Sequence, residues 1–337
     1  MQVKPSQAKS IITKYIKAHL VPMLVGSPGC GKSQIIHSIA KEYNLKVIDL
    51  RLSQCDPCDL LGFPTVEGDK AGYKPMNTFP VEGDAIPEGY SGWLLFLDEF
   101  NGAPPSVQAA AYKLVLDRMV GIYNLHKNVA ICCAGNLETD NAIVQPMSTA
   151  LQSRMVHLEL VVDAEEWVDH AAEQGWDHRL TSWINFKPGM LYTFKADHTD
   201  VTYACPRTYE FTNRILAVVD ESSPDLLPML AGTLSEGVAR EMLLFFKIHK
   251  SIATIPQIRA NPTGIPVPEE PSVLFALTGS ISHHATEDNF EDLMKFVIRV
   301  PAEFQVVCLR ETVRRNRALL THASTKKWIS TSAISLF

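Results

Sequence analysis

The sequence predicts an α/β fold: a parallel sheet of five strands with helices on both faces, followed by a mostly helical region. Three observations predict it. Short apolar runs alternate with helical patterns from residue 6 to residue 160, the order that crossover connections give a parallel sheet. A glycine loop, GSPGCGKS at Gly26 to Ser33, stands between one apolar run and one helical stretch. Beyond about residue 163 the strand signals fade while helical patterning continues.

The elements follow in order. Residues 6–20 carry Ile11, Ile12, Tyr15, Ile16, His19 and Leu20 at helical spacing, and Pro5 and Ser6 suit a helix start. Val21 to Val25 reads as a short buried strand, Gln34 to Tyr43 as an amphipathic helix and Lys46 to Leu50 as a second strand. Residues 53–92 hold many glycines and prolines and are too long for a plain loop, so an insertion with structure of its own is expected there. Trp93 to Leu97 is a buried strand, Pro104 to Arg118 a helix with Val107, Ala111, Leu114 and Val115 on one face, and Asn128 to Ala134 another strand. A short helix at 146–154 and a last strand at Val156 to Leu160 complete the sheet. The later region is read as helical, interrupted by the proline- and glycine-rich stretch Ile255 to Pro271. The domain boundary falls within 161–205 and is drawn after residue 161, giving an α/β domain at 1–161 and a linker with a helical domain at 162–337.

Composition bounds the function classes. The chain has 337 residues, 46% hydrophobic, enough for one large or two ordinary cores. A net charge of −6 gives no basic surplus for nucleic acid, which is not expected as the main partner. No apolar run approaches the length of a membrane span, and the first residues lack the apolar core of a signal peptide, so a soluble cytoplasmic protein without a membrane role is expected. Seven cysteines, an odd number, suit reduced thiols better than a disulfide framework. Cys55 and Cys58 form a lone C-x-x-C that no second pair completes, so two ordinary thiols are expected over a redox or zinc pair.

The chemistry centres on the glycine loop, which fits G-x-x-x-x-G-K-[ST] at every fixed position. Gly26, Ser27, Pro28, Gly29, Cys30, Gly31, Lys32, Ser33 and Gln34 are the candidate nucleotide-binding residues. Glycines let successive backbone N–H groups turn toward one anion, and the following helix adds about half a positive charge at its N-terminus. Lys32 would reach the β- and γ-phosphates of ATP, and the Ser33 hydroxyl would ligate Mg²⁺. Leu94 to Glu99 is an apolar strand ending in two carboxylates. Asp98 would hold Mg²⁺, directly through Ser33 or through water, and Glu99 would polarise the attacking water. Ala130 to Asn136 ends a third strand in an amide, so Asn136 could position that water. Arg154, closing a short helix, could neutralise charge on a γ-phosphate, with Arg118 as a competitor for this role. Arg207, in the first turn of a helix begun by Cys205 and Pro206, could also reach phosphates.

In this order the five motifs resemble those of the AAA+ ATPases, and more closely those of the MoxR-type branch. Gly26–Ser33 is similar to Walker A, Leu94–Glu99 to Walker B, Asn136 to sensor 1, Arg154 to the arginine finger and Arg207 to sensor 2. Three details point to the branch. Asp59 to Gly62 resembles the DLLG entry to its helix-2 insert, here at about 58–80. Asp98 to Gln108 is close to its DEINRAPPEVQ run, and Cys205 to Thr208 to its SPR entry to the lid. Two departures stand out: Leu137 follows Asn136 where the branch has Asn-Pro, and Ser153-Arg154-Met155 replaces DRF.

The resemblance implies a Mg²⁺-dependent ATPase with an α-helical lid. It implies a homo-hexameric ring in which Arg154 serves the neighbour's nucleotide, and Arg207 its own or a neighbour's. It also implies chaperone-like remodelling of a partner protein complex, often with a separate von Willebrand factor A domain protein. Phe63, Tyr73 and Phe79 of the insert are candidate contacts with a remodelled partner, or packing residues of the insert itself. Two other enzymatic readings stay open from sequence. A nucleic-acid motor or loader would use the basic run Arg310 to Arg317, which otherwise reads as a solvated helix face. A small-molecule or nucleotide kinase would use the same phosphate loop without a ring. A nucleotide-gated scaffold is disfavoured by the intact Lys32, Asp98 and Glu99.

Overall fold

Leu94 and Phe96 point to one side of their strand, and Trp93, Leu95 and Leu97 to the other, and all five are buried. A strand apolar on both faces needs cover on both, and the chain supplies it with helices. The structure is a computed structural model and describes residues 1–140, 144–248 and 251–331. The chain divides into two units, Met1–Val162 with Lys195–Asp197, and Asp163–Phe194 with His198–Phe337.

In the first unit β1 (Gln2–Val3), α1 (Pro5–Lys17), β2 (Pro22–Val25), α2 (Lys32–Glu42) and β3 (Leu45–Arg51) follow one another. A short α3 (Pro57–Leu61) precedes the antiparallel hairpin of β4 (Phe63–Glu67) and β5 (Lys70–Lys74). Next come β6 (Gly92–Asp98), α4 (Pro105–Asp117), the small antiparallel pair β7 (Met119–Val120) and β8 (Tyr123–Asn124), β9 (Val129–Gly135), α5 (Thr149–Gln152) and β10 (Val156–Leu160). The main sheet is parallel throughout, in the order β1-β10-β2-β9-β6-β3. Six strands stand where five were expected. The added strand β1 is two residues long, too short to show a period, but its Val3 is buried and it pairs with β10. α1 and α2 pack with Leu24, Leu94, Phe96 and Cys132 on one face, while α4 packs with Met23, Leu95, Leu97 and Ile131 on the other.

The expected insert contains α3 and the β4–β5 hairpin. Phe63 and Tyr73 are exposed, at 61% and 46%, and Val66 at 78%. Of the two readings open for Phe79 the structure favours packing, though into the core on the α4 face and not within the insert: it is 3% exposed.

The second unit is helical: α6 (Ala164–Glu173), α7 (His178–Phe186), α8 (Pro206–Leu216), α9 (Leu226–Leu234), α10 (Glu236–Ile248), α11 (Ile255–Ala260), α12 (Pro271–His284), α13 (Phe290–Val297), α14 (Ala302–Arg315) and α15 (Ala323–Thr331). The stretch read as an interruption therefore contains α11. Thr254 and Gln257 cap its start, and its Pro256 lies in the first turn, where a missing N–H costs nothing. The basic run has partners of its own within the chain. Arg310 pairs with Asp169 and Glu165, Arg314 with Glu173 and Asp169, and Arg317 with Glu173. Arg315 donates to Trp176 O at 2.8 Å. Arg310, Arg314 and Arg315 tie α14 to α6 and the segment after it, while the Arg314 and Arg317 side chains stay exposed at 42% and 81%, so the run is in part the solvated face and in part an intramolecular ion-pair network.

Candidate active site

The phosphate loop leaves the carboxyl end of β2, which lies inside the sheet between β10 and β9. Gly29 and Gly31 have φ of 76° and 101°, backbone that side chains with a Cβ rarely adopt. The left-handed turn at Gly31 starts α2 at Lys32, two residues earlier than expected, so Lys32 and Ser33 occupy its first turn. Lys32 is buried at 9% exposure. Its Nζ donates to Gly26 O at 2.6 Å, Ser27 O at 3.2 Å and Asn136 Oδ1 at 3.1 Å. Ser33 Oγ donates to Asp98 Oδ2 at 3.1 Å. The loop, the end of β6 and the end of β9 thus converge, as open parallel sheets do where they bind ligands.

Glu99 follows the last residue of β6 in the left-handed region, at φ 52°. For a non-glycine residue this is a strained conformation of the kind that clusters at functional sites. The backbone N–H of Glu99 donates to Asp98 Oδ1 at 2.8 Å, and its carboxylate accepts a hydrogen bond from Ser53 Oγ. Parallel pairing of β3 with β6 sets Arg51 opposite Asp98, which carries Ser53 to Glu99 just past the strand ends. A second clamp fixes the backbone of Asn136, whose side-chain oxygen faces Lys32. Asn101 Nδ2 donates to Asn136 O at 2.7 Å, and Asn136 N donates to Asn101 Oδ1 at 3.1 Å. Gly135 permits it, because a Cβ there would lie 2.3 Å from Asn101 Oδ1.

Ser53 and Asn101 are the two site residues that sequence reasoning missed. Asn101 lies inside the Asp98–Gln108 run and could have been singled out there as a polar residue in an apolar stretch. Ser53 carried no signal, since only the strand register brings it to Glu99.

The structure brings Gly26–Gln34, Asp98, Glu99 and Asn136 to one end of the sheet. Arg154 is folded onto its own unit: its Nη1 donates to Ala150 O at 2.6 Å, and its guanidinium lies 4.5 Å from the centre of the Tyr112 ring. Its Nε is buried without a hydrogen-bond partner. Arg118 caps α4 at φ 54° and donates to Val129 O, at the amino end of β9 and away from the phosphate loop. Arg207 belongs to the second unit, exposed on the first turn of α8.

All seven cysteines are free. Burial first, then the negative charges of Asp59 and Asp56, push the Cys55 thiol up, opposite to the shift of an activated thiol. Burial pushes Cys132 up to about 12, which keeps it an inert core residue.

A strand, phosphate loop and helix, with an Asp-Glu pair closing another strand of the same parallel sheet, define a P-loop nucleotide-binding fold. Residues 22–155 match the family described as AAA domain (dynein-related subfamily). The match and the sheet together give the first unit the AAA+ P-loop α/β fold, followed by a helical region, and an AAA+ ATPase is the class that the match supports. No curated protein matches the sequence significantly. Among solved structures, a candidate ATPase from Cytophaga hutchinsonii is 14% identical, with 97% of this chain and 87% of that one covered and a TM-score of 0.36. The Thermotoga maritima RuvB Holliday junction branch migration motor is also 14% identical, with 88% and 86% covered and a TM-score of 0.35. At those scores neither likeness carries an argument. Among the described residues no helix is long and apolar enough to cross a membrane.

Proposed function

We propose that this chain is a ring-forming, ATP-hydrolysing AAA+ chaperone of the MoxR-like kind that remodels or activates a partner protein complex. The observation that carries the hydrolytic part is the meeting of Lys32, Ser33, Asp98, Glu99 and Asn136 at one end of one sheet. Lys32 exchanges carbonyl partners for the β- and γ-phosphates, whose charge makes stronger hydrogen bonds. Ser33 and Asp98 present hydroxyl and carboxylate oxygens 3.1 Å apart, hard donors that suit Mg²⁺ and would hold it. A bound Mg²⁺ neutralises phosphate charge. Glu99 leaves Ser53 to orient the attacking water and take its proton, and Asn136, held by Asn101, fixes the water's position.

Arg154 acts in this reading on the neighbouring subunit's nucleotide, after leaving the Tyr112 face, and a homo-hexamer is the proposed assembly. Arg207 is the proposed sensor of the helical domain. The remodelling part is supported by the β4–β5 hairpin, which exposes Phe63, Val66 and Tyr73. A von Willebrand factor A domain partner belongs to the same proposal through the resemblance, and a cytoplasmic location through the sequence's want of a membrane-length apolar run.

The test is mass photometry and phosphate release on Glu99→Gln. The variant is expected to bind ATP-Mg²⁺, form rings with it, and turn over about 10² or more times slower than the parent, the scale of losing a catalytic base. A monomer at every concentration would remove the trans role of Arg154 and with it the ring. Near-normal turnover would remove Glu99 from its role.

A further inference from the structure

At the other end of the sheet from the phosphate loop, the first unit holds a cavity of about 290 Å³. Its wall includes the starts of three strand regions, at Leu45, Ser91 and Val129, and the ends of α1, α2 and α4. The floor is aliphatic and aromatic, with Ile16, Ile39, Tyr43, Leu45, Val129 and Ile131. Three cations border it: Lys17, Arg118 and Lys127. No described residue lining it is acidic, in a chain whose net charge is −6.

The cations are placed without counter-charges. Among the described residues, none of the three has a carboxylate within ion-pair distance. Arg118 is half-buried and spans only as far as the Val129 carbonyl. Burial lowers its pKa, and no acidic neighbour opposes the shift. Helix C-termini attract cations, which accounts in part for Lys17 on α1 and Arg118 on α4, but each offers only about half a negative charge. Lys127 lies in the loop before β9 and caps no helix. An apolar cavity bordered by charges of one sign is the composition of a ligand pocket, and its volume lies at the small end of that class.

We propose that this cavity is a second ligand site, distinct from the nucleotide end, that takes a small amphipathic anion. Its apolar body lies on the Ile16, Ile39 and Val129 floor, and its carboxylate, sulfonate or phosphate end meets Lys17, Arg118 and Lys127. The occupant touches the far ends of two elements whose near ends serve the nucleotide site: α2 starts with Lys32, and β9 runs into Asn136. The proposal does not depend on hydrolysis.

The probe is 8-anilinonaphthalene-1-sulfonate, titrated by fluorescence into the full chain, with decanoate as competitor. One saturable site per chain is expected, displaced by decanoate and untouched by saturating ADP. Lys17 and Lys127 are exposed, so the double variant Lys17→Glu, Lys127→Glu keeps the fold, checked by circular dichroism and melting temperature. It is expected to weaken probe binding at least fivefold. Arg118→Asn, a residue that accepts the left-handed backbone, is expected to act in the same direction. Non-stoichiometric binding, failure of decanoate to compete, displacement by ADP, or a loss below fivefold in the charge-reversed variant each overturns the proposal.

Discussion

Lys32 and Arg315 are both buried cations that make several hydrogen bonds, yet their surroundings differ in kind. Lys32 sits on two loop carbonyls and an amide oxygen beside a strained glutamate, at a sheet end where strands open toward ligands. Arg315 lies against Glu311 at 3.9 Å, bonds Trp176 O and Thr181 Oγ1, and joins α14 to α7 within the second unit. Around it Arg310, Arg314 and Arg317 meet Glu165, Asp169 and Glu173. Neutral acceptors are exchangeable for a phosphate, whereas the buried Glu311 carboxylate is not, because it would be left uncompensated. The first arrangement keeps a charge ready for a ligand and the second uses charge to fix helices.

The largest expected effect breaks the comparison at its first member. Lys32→Ala should weaken ATP binding by about 100-fold or more, ~3 kcal/mol, read by titration with a fluorescent nucleotide. The melting temperature without nucleotide should change little, since the removal of a buried ammonium offsets the loss of its hydrogen bond to the buried Gly26 carbonyl. A chain that unfolds would put Lys32 in the same structural class as Arg315.

Next is the second member. Glu311 is 2% exposed, Ser282 donates to it at 3.3 Å, and burial pushes its carboxyl up while Arg315 opposes the shift. Glu311→Ala should cost about 3–5 kcal/mol in urea unfolding, because Arg315 keeps a buried charge without its partner. Glu311→Leu combined with Arg315→Met should recover most of that loss. A single substitution costing under 1 kcal/mol would mean that the pair does not hold the helices together.

The same contrast explains what the sequence made legible. The phosphate loop and the Asp98-Glu99 strand end are contiguous, because a phosphate must be gripped by consecutive backbone groups and a metal by a carboxylate at a strand terminus. Chemistry of that kind writes itself into local spacing. Ser53 and Asn101 reach Glu99 and Asn136 through strand register and a close approach over Gly135, neither of which has a period. The Arg310–Asp169 pair links residues 141 positions apart, so the basic run looked solvated or ligand-binding when its partners were already within the chain. The sixth strand escaped for a simpler reason, since two residues cannot alternate often enough to be seen.

The smallest expected effect sharpens the second region further. His178 and His283 stack with ring centres 4.7 Å apart between α7 and α12, and His284 stands 4.7 Å from His283 at right angles. Burial, then the positive charges of Arg315 and His284, hold His283 below its ordinary pKa of 6.5, with Asp177 pulling the other way. The unfolded chain therefore takes a proton at His283 before the folded one does. The folded state loses no stability from this group above about pH 6.5, and loses it progressively as pH falls from there toward the folded value. One proton sets a ceiling of about 1.4 kcal/mol per pH unit, and because His283 is exposed on one side, solvent screening should keep the slope well below it. Urea unfolding between pH 7.5 and 5.5 should show the decline, and His283→Gln should flatten it. An unchanged slope in the variant would mean that the stacked pair bears no pH-dependent load, leaving the Glu311–Arg315 contact and the arginine–carboxylate network as the electrostatic ties of these helices.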